Sequence, residues 1–469
     1  MERQRRDYET VIIGGGPAGM GPLVWAARHG LLGAWLDSGV ALVERRRWLG
    51  GSLGQYPLNA DTVATTFLEC LDGPDCEPVL ADVRGDPVTQ ELNTWHCARP
   101  PIALVDRYIR RLGAAVQAEF ARHPSSHAFT GTVAQTINLE SDGSVAVSLF
   151  CPDGRRIVIR AASVVMALGG RQDNGWGTAE LAPELQLGQW RKKIVTSDAM
   201  LSDGGADLAR GLLARADRRP RAVIVGSSHS AFSAAWLLLD RIRGLNFGPE
   251  GVQILYRSEP RVMYPSSDAA RADSFGFSDA DVCQATGRVH RVGGLRGDGR
   301  ELWRRMHGKP GTQCERRAVG RSLADLSRAE LAGLLDDADL IVPALGYRLR
   351  TVPVFDPHGG LIPLARTGPA VGADSRLLTA DGRPIPGVFG AGLGSGFVPW
   401  GAMAGEASFT GQQNSFWLFQ HGLGEMIYQS TRQCVAPQGV SESDVRRGGT
   451  RRRSGYDLMT NSRECVRES

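Results

Sequence analysis

Lysine is almost absent from this chain: of 54 basic residues only Lys192, Lys193 and Lys309 are lysines. The skew is read as codon bias of a GC-rich genome. The net charge is only +4 over 469 residues. No basic stripe interleaved with aromatics occurs, so nucleic-acid binding is set aside. Long apolar runs are lacking too, and none approaches the ~18 residues that a membrane span requires. The basic stretch Met1 to Arg6 precedes an apolar run, but Gly14, Gly15 and Gly16 break that run before it reaches signal-peptide length. Eight cysteines are scattered at 70, 76, 97, 151, 283, 314, 434 and 465 without a Cys-x-x-Cys pair. A chain of this size needs no disulfide framework, so they are expected as structural or surface thiols in a reducing cytoplasm. Apolar and charged fractions of 42% and 22% are ordinary. The length points to two domains.

What is present is organised around Val11-Ile12-Ile13-Gly14-Gly15-Gly16-Pro17-Ala18-Gly19. An apolar strand runs into Gly-x-Gly-x-x-Gly and then an alanine-rich helix. Gly14 permits the tight turn, Gly16 lets backbone approach a pyrophosphate, and Gly19 lets the helix pack on the sheet. The helix N-terminus offers free N–H groups to phosphates. The next strand, Ala41-Leu42-Val43, ends at Glu44, whose carboxylate can accept from ribose hydroxyls. It lies 25 residues beyond Gly19, slightly more than the usual ~20. The following small residues, from Trp48 to Pro57, suit backbone lying beside a flat ring, with Ser52, Gln55 and Asn59 as pocket candidates.

Residues 61–123 read as largely helical and 131–165 as strands, ending in Ala167-Leu168-Gly169. A second turn of the same kind follows at Ala222 to Ala231, with Gly226 as its glycine and Ser228 and Ala231 as small replacements for the later ones. The strand Val252 to Tyr256 ends in Arg257, 31 residues after Gly226, against 30 from Gly14 to Glu44. A guanidinium there suits a 2′-phosphate, favouring NADPH over NADH. The strand 339–347 repeats Ala-Leu-Gly at 344–346, as if two hinge strands bracket an inserted domain. A helical region is expected over 402–427, with its aromatics in the core. The Arg- and Ser-rich segment from 436 reads as a disordered tail.

These motifs resemble the two-dinucleotide-domain flavoproteins. Within them the order is similar to the NADPH-using flavin monooxygenases that N-hydroxylate amines, over about residues 8–430. The resemblance implies an α/β fold of two Rossmann-like domains: a discontinuous FAD domain (1–170 and 339–435), an inserted NADPH domain (171–338), and the tail 436–469. It implies FAD on Gly14, Gly16, Pro17, Ala18, Gly19, Glu44 and Arg45. Ser52, Gln55, Val133, Ala167, Gly169 and Gly392 complete that set. NADPH falls to Gly226, Ser227, Ser228, His229, Ser230 and Arg257, with Gly346-Tyr347 in the linker strand. Thr196-Ser197 resembles a hydroxyl-rich strand of those enzymes. Gln55 and Asn59 are the substrate candidates, no metal is implied, and no catalytic residue stands out, because the cofactor carries the hard chemistry.

The departures narrow the group. Cys70 and Cys76 lack disulfide-reductase spacing, and Gly392 is followed by Leu393 rather than aspartate. No histidine lies between 171 and 221, so the Baeyer–Villiger fingerprint is absent, and so is the Trp-x-Trp-x-Ile-Pro of flavin halogenases. The implied activity is an FAD-, NADPH- and O2-dependent monooxygenase acting on a small molecule, with an amine in secondary metabolism as the favoured substrate. A homo-oligomer is compatible with the sequence. Two other readings stay open: an NADPH-dependent flavoprotein reductase without oxygen insertion, and a non-catalytic flavin-binding redox sensor.

Overall fold

A computed structural model of the chain describes residues 7–172, 174–214, 218–365 and 368–434. The basic leader and the expected tail 436–469 lie outside the described residues. The first strand, β1 (Tyr8–Ile13), holds Val11, Ile12 and Ile13 at no more than 1% exposure. Burial of each such side chain stabilises by about 1.5–3 kcal/mol, and a strand covered on both faces reads as an unbroken apolar run. β2 (Val40–Glu44) lies parallel to it, and β3 (His127–Thr130) parallel to β2. β4 (Val133–Leu139), β5 (Val145–Phe150) and β6 (Arg156–Met166) form an antiparallel meander. β6 then lies parallel to β1 on its other side.

A second sheet has four parallel strands: β7 (Ala222–Val225), β8 (Val252–Tyr256), β9 (Ala318–Ser322) and β10 (Leu340–Pro343), in the order β9-β8-β7-β10. The chain then returns to the first sheet as β11 (Pro384–Gly390), parallel to β6. Chain on both sides of the second sheet therefore builds the nine-stranded first one. This is the expected α/β architecture, with one unit discontinuous and the other inserted. The late helix Gly422–Gln433 packs on the helix Pro17–Arg28. The two can approach because a Cβ on Gly424 would come within 3.1 Å of the Trp25 Cβ.

Four expectations change. The strand at 340–343 pairs with β7 rather than with the first sheet, so the inserted unit does not end at 338. The two Ala-Leu-Gly segments are not a pair of hinges. Each closes its own sheet on its own turn: Ala167 N–H donates to Ile13 O at 2.8 Å, and Ala344 N–H donates to Val225 O at 2.8 Å. Thr196-Ser197 is not strand; Thr196 caps a short helix, its hydroxyl accepting from Ala199 N–H at 3.3 Å. The helix expected over 402–427 forms only at Phe416–Phe419 and Gly422–Gln433. Among the described residues no helix is long and apolar enough to cross a membrane.

Candidate dinucleotide and substrate site

The first turn leaves β1 and enters helix α1 (Pro17–Arg28), whose N-terminus has no side-chain cap and no acidic residue in its first turn. Gly14 has φ +110, and a Cβ there would collide with the Ala167 carbonyl; one on Gly19 would collide with the Gly14 carbonyl. Both glycines are therefore required for closure of the turn on β6. Gly16 differs: a Cβ there would meet only the Gly51 Cα, at 3.8 Å. Gly51 has φ +82 and faces back towards Pro17 and Gly16. Two facing glycines above an uncapped helix N-terminus make a backbone-lined cradle, which fits an anionic pyrophosphate.

Glu44 ends β2 and is 6% exposed. Its carboxylate accepts from Gly15 N–H at 2.7 Å and from Arg46 N–H at 2.8 Å. A carboxylate has about four lone-pair sites, so capacity remains for a ribose. Arg45 is exposed, and Val133 begins β4 at 45% exposure, next to Thr132, whose N–H donates to Glu44 O at 3.0 Å. Gly392, with φ +102, lies against Ala18. The first candidate set thus gathers where β1, β2, β6 and β11 end. Parallel sheets bind ligands at such carboxyl edges. Ser52 caps a 3-10 turn that ends at Gln55. Gly50 and Gly54 next to them are used in packing: a Cβ on Gly50 would sit 2.9 Å from the Arg110 Cα, and one on Gly54 2.7 Å from Asp106 Oδ2. Gly50 N–H donates to Gly15 O at 2.8 Å, and Gly51 is the glycine of this loop whose Cβ would point into the first turn.

The second turn repeats the first. Gly226 has φ +147 and its N–H donates to Leu255 O at 2.9 Å, as Gly14 N–H donates to Val43 O at 2.8 Å. A Cβ on Gly226 would sit 2.6 Å from the Ala344 carbonyl oxygen. Ser228 caps α4 (His229–Trp236; α2 is Ile102–Phe120 and α3 is Ser197–Leu201) without a side-chain hydrogen bond. Ser227 and Ser230 are half-buried around that start. His229 Nε2 lies 3.8 Å from Asp61. Burial lowers the histidine pKa, against the opposing pull of Asp61. Arg257 follows β8, is exposed, and has no ion pair among the described residues.

The two units meet at a junction that the sequence did not reveal. Tyr56 Oη donates to Asp198 Oδ1 at 2.8 Å and Tyr347 Oη to the same oxygen at 3.1 Å. Asp198 N–H donates to Gln172 Oε1 at 2.9 Å, and Asp203 N–H to the Gln55 carbonyl at 2.7 Å. Burial, then the hydrogen bond to Asp198, pushes the Tyr56 phenol up to about 12; burial and Asp198 push Tyr347 up as well. Gly346 precedes Tyr347 with φ +88, in the backbone region that glycine favours. Asn59, the other substrate candidate, reaches across to the second unit. Its Nδ2 donates to Asp298 Oδ2 at 2.9 Å on the wall of a cavity of about 260 Å³. Arg99, Gly297, Asp298, Arg300 and Glu301 complete that wall. Nothing local marks Asp198 in the sequence, because both tyrosines that it holds lie more than a hundred positions away.

Two glycine turns at the carboxyl ends of parallel strands in two sheets, with one junction between the units, define a two-dinucleotide-domain flavoprotein fold. No protein-family model matches the chain. Over 438 residues it is 32% identical to the CMP-5′-(3-aminopropyl)phosphonate hydroxylase of Streptomyces rubellomurinus, spanning 90% of this chain and 97% of that protein. Its fold is like that of the ornithine hydroxylase of Pseudomonas aeruginosa, with TM-score 0.51, 15% identity, and coverage of 92% of this chain and 100% of that one. It is also like that of L-lysine 6-monooxygenase of Pseudomonas syringae, with TM-score 0.50, 14% identity, and coverage of 92% and 100%. The chain belongs to the family of the CMP-5′-(3-aminopropyl)phosphonate hydroxylase of Streptomyces rubellomurinus, and it is an oxidoreductase.

Proposed function

We propose that the chain binds FAD on the Gly14–Gly19 turn and NADPH on the Gly226–Ser230 turn, and uses O2 to hydroxylate the nitrogen of a small-molecule amine. The observation that carries this reading is the duplicated turn, each copy closed by its own Ala-Leu-Gly at the end of its own sheet. The bound flavin supplies the oxygen-transfer chemistry; the protein binds, orients and excludes water. Glu44 holds a ribose, the α1 N-terminus a pyrophosphate, and Arg257 a 2′-phosphate. The FAD unit comprises residues 7–170 with 346–434, and the NADPH unit 171–345. The relative from Streptomyces rubellomurinus is named for a CMP-linked aminopropylphosphonate, and an amine carried on such a nucleotide is the substrate type favoured for this chain.

The test is incubation of the purified flavoprotein with NADPH, isotopically labelled dioxygen and CMP-5′-(3-aminopropyl)phosphonate. The expected product carries one labelled oxygen on nitrogen. NADPH consumption without labelled product would instead support an electron-delivering reductase. A bound flavin that NADPH fails to bleach without air would support a redox sensor.

A further inference from the structure

The cavity beside Asn59 is walled by both units: Asn59 and Arg99 from the first, Gly297, Asp298, Arg300 and Glu301 from the second. The second wall is the start of helix α5 (Gly297–Met306), capped by Arg296 without a side-chain hydrogen bond. Arg99 and Arg300 line the cavity at a helix N-terminus, where the backbone already presents partial positive charge, and Arg296 lies close enough to act on the Arg99 charge. Among the described residues none of the three has a carboxylate within ion-pair distance. The Nε atoms of Arg99 and Arg300 are buried without a hydrogen-bond partner. Arg296 is held by the Arg291 carbonyl, and Arg300 lies 4.7 Å over the Tyr264 ring.

The acidic groups nearby are otherwise engaged. Asp298 accepts from Asn59, Glu301 pairs with Arg304 at 3.5 Å, and Asp61 lies 3.8 Å from His229. Burial lowers the Arg99 pKa, and Arg300 and Arg296 lower it further. Guanidiniums gathered in this way, with donors unsatisfied, are costly unless an anion completes them. Arginine is also the residue suited to fork-like contact with phosphoryl oxygens.

We infer that Arg99, Arg296 and Arg300 form a binding site for the phosphoryl or phosphonyl group of the amine substrate, closed only when the two units meet. This rests on the amine-hydroxylase reading and names the part of the substrate that the protein selects. Helix α5 packs against α4, so one wall of the cavity belongs to a helix adjoining the one that leaves the dinucleotide turn, while neither turn's glycines line it. An anion held there anchors a substrate whose amine extends towards the junction.

The test uses cytidine 5′-monophosphate, cytidine and NADP+ as separate calorimetric probes of the holoenzyme, with Arg99→Ala and Arg300→Ala. Each loses a charge-assisted contact, so cytidine 5′-monophosphate should bind about ten- to a hundredfold more weakly. Cytidine and NADP+ should be unaffected. Arg99→Lys, which keeps the cation and loses the fork, should fall between. In the unmodified enzyme inorganic pyrophosphate should compete with the amine substrate and not with NADPH, a measurement that needs no variant to fold. Equal losses for NADP+, or pyrophosphate competing only with NADPH, would assign the arginines to the dinucleotide and overturn the inference. Unchanged nucleotide affinity in all three variants would do so too. If the nucleotide binds as expected but no amine becomes oxygenated, the activity reading fails while the anion site stands.

Discussion

Glycines in one turn carry different burdens. Gly14 combines φ +110 with a carbonyl where its Cβ would be. Gly14→Ala therefore pays about 1–3 kcal/mol for the backbone conformation alone, and the collision with Ala167 adds to it. The expected outcome is a large fall in thermal stability with or without flavin. Gly16 has φ −79 and open space before it. Gly16→Ala should fold with the melting temperature of the flavin-free parent yet bind FAD far more weakly, because the methyl fills the cradle. Melting curves and flavin content separate the two, and a Gly16→Ala protein with normal flavin affinity would remove FAD from this turn. On the second turn, Arg257→Ala should weaken NADPH about ten- to a hundredfold and leave NADH unchanged. Steady-state KM values for both nucleotides check it, and equal effects would refute the 2′-phosphate assignment.

Among the elements, the late helix Gly422–Gln433 brings a titrating pair to the face of α1. His421 Nε2 lies 2.7 Å from Arg28 Nη1 and 3.5 Å from Glu69. Burial, then Arg28, lowers His421 to about 4; burial raises Glu69 to about 7, with Arg28 opposing. For His421 the unfolded chain binds the proton between pH 6.5 and 4, so stability is lost as pH falls through that window. For Glu69 the folded chain binds it between 4.5 and 7, so stability is lost as pH rises there. Over the shared window the two slopes oppose, and stability should be nearly flat. His421→Gln removes one slope, and its melting temperature should then decline from pH 4.5 to 7; a profile as flat as the parent's would refute the coupling. Elements of this kind show why legibility varied. Strands such as Val11-Ile12-Ile13 and the turns declare themselves through local pattern, because a buried parallel strand must be apolar and a closed turn must have glycine. The side of the boundary on which Leu340–Pro343 falls is settled by pairing with β7, and hydropathy carries no information on partners. Glu44 and Arg257 follow from spacing along one chain segment. Asp198 with Tyr56 and Tyr347, or Arg99 with Arg300, exist as groups only after distant segments have packed.

At the scale of the molecule, early and late chain share one core: Ile12, Val165, Phe389 and Leu423 belong to a single buried cluster. Residues such as Ile224, Ile254 and Val342 form another. Separate cores with separate ligands need not unfold together, and a ligand stabilises only the unit that binds it. At a hundred times its Kd it contributes about 2.7 kcal/mol, which for a unit of 150–250 residues is a shift of about 5–10 °C. What opposes independence is the junction, where one carboxylate accepts from tyrosines on either side of the inserted chain. Calorimetry should therefore show two transitions, with NADP+ raising one and removal of FAD lowering the other. Asp198→Asn, which weakens the charge-assisted bonds to both phenols, should widen their separation. A single transition that both ligands move equally, unchanged in Asp198→Asn, would mean that the two cores act as one unit and that the division at residues 171 and 345 has no energetic meaning.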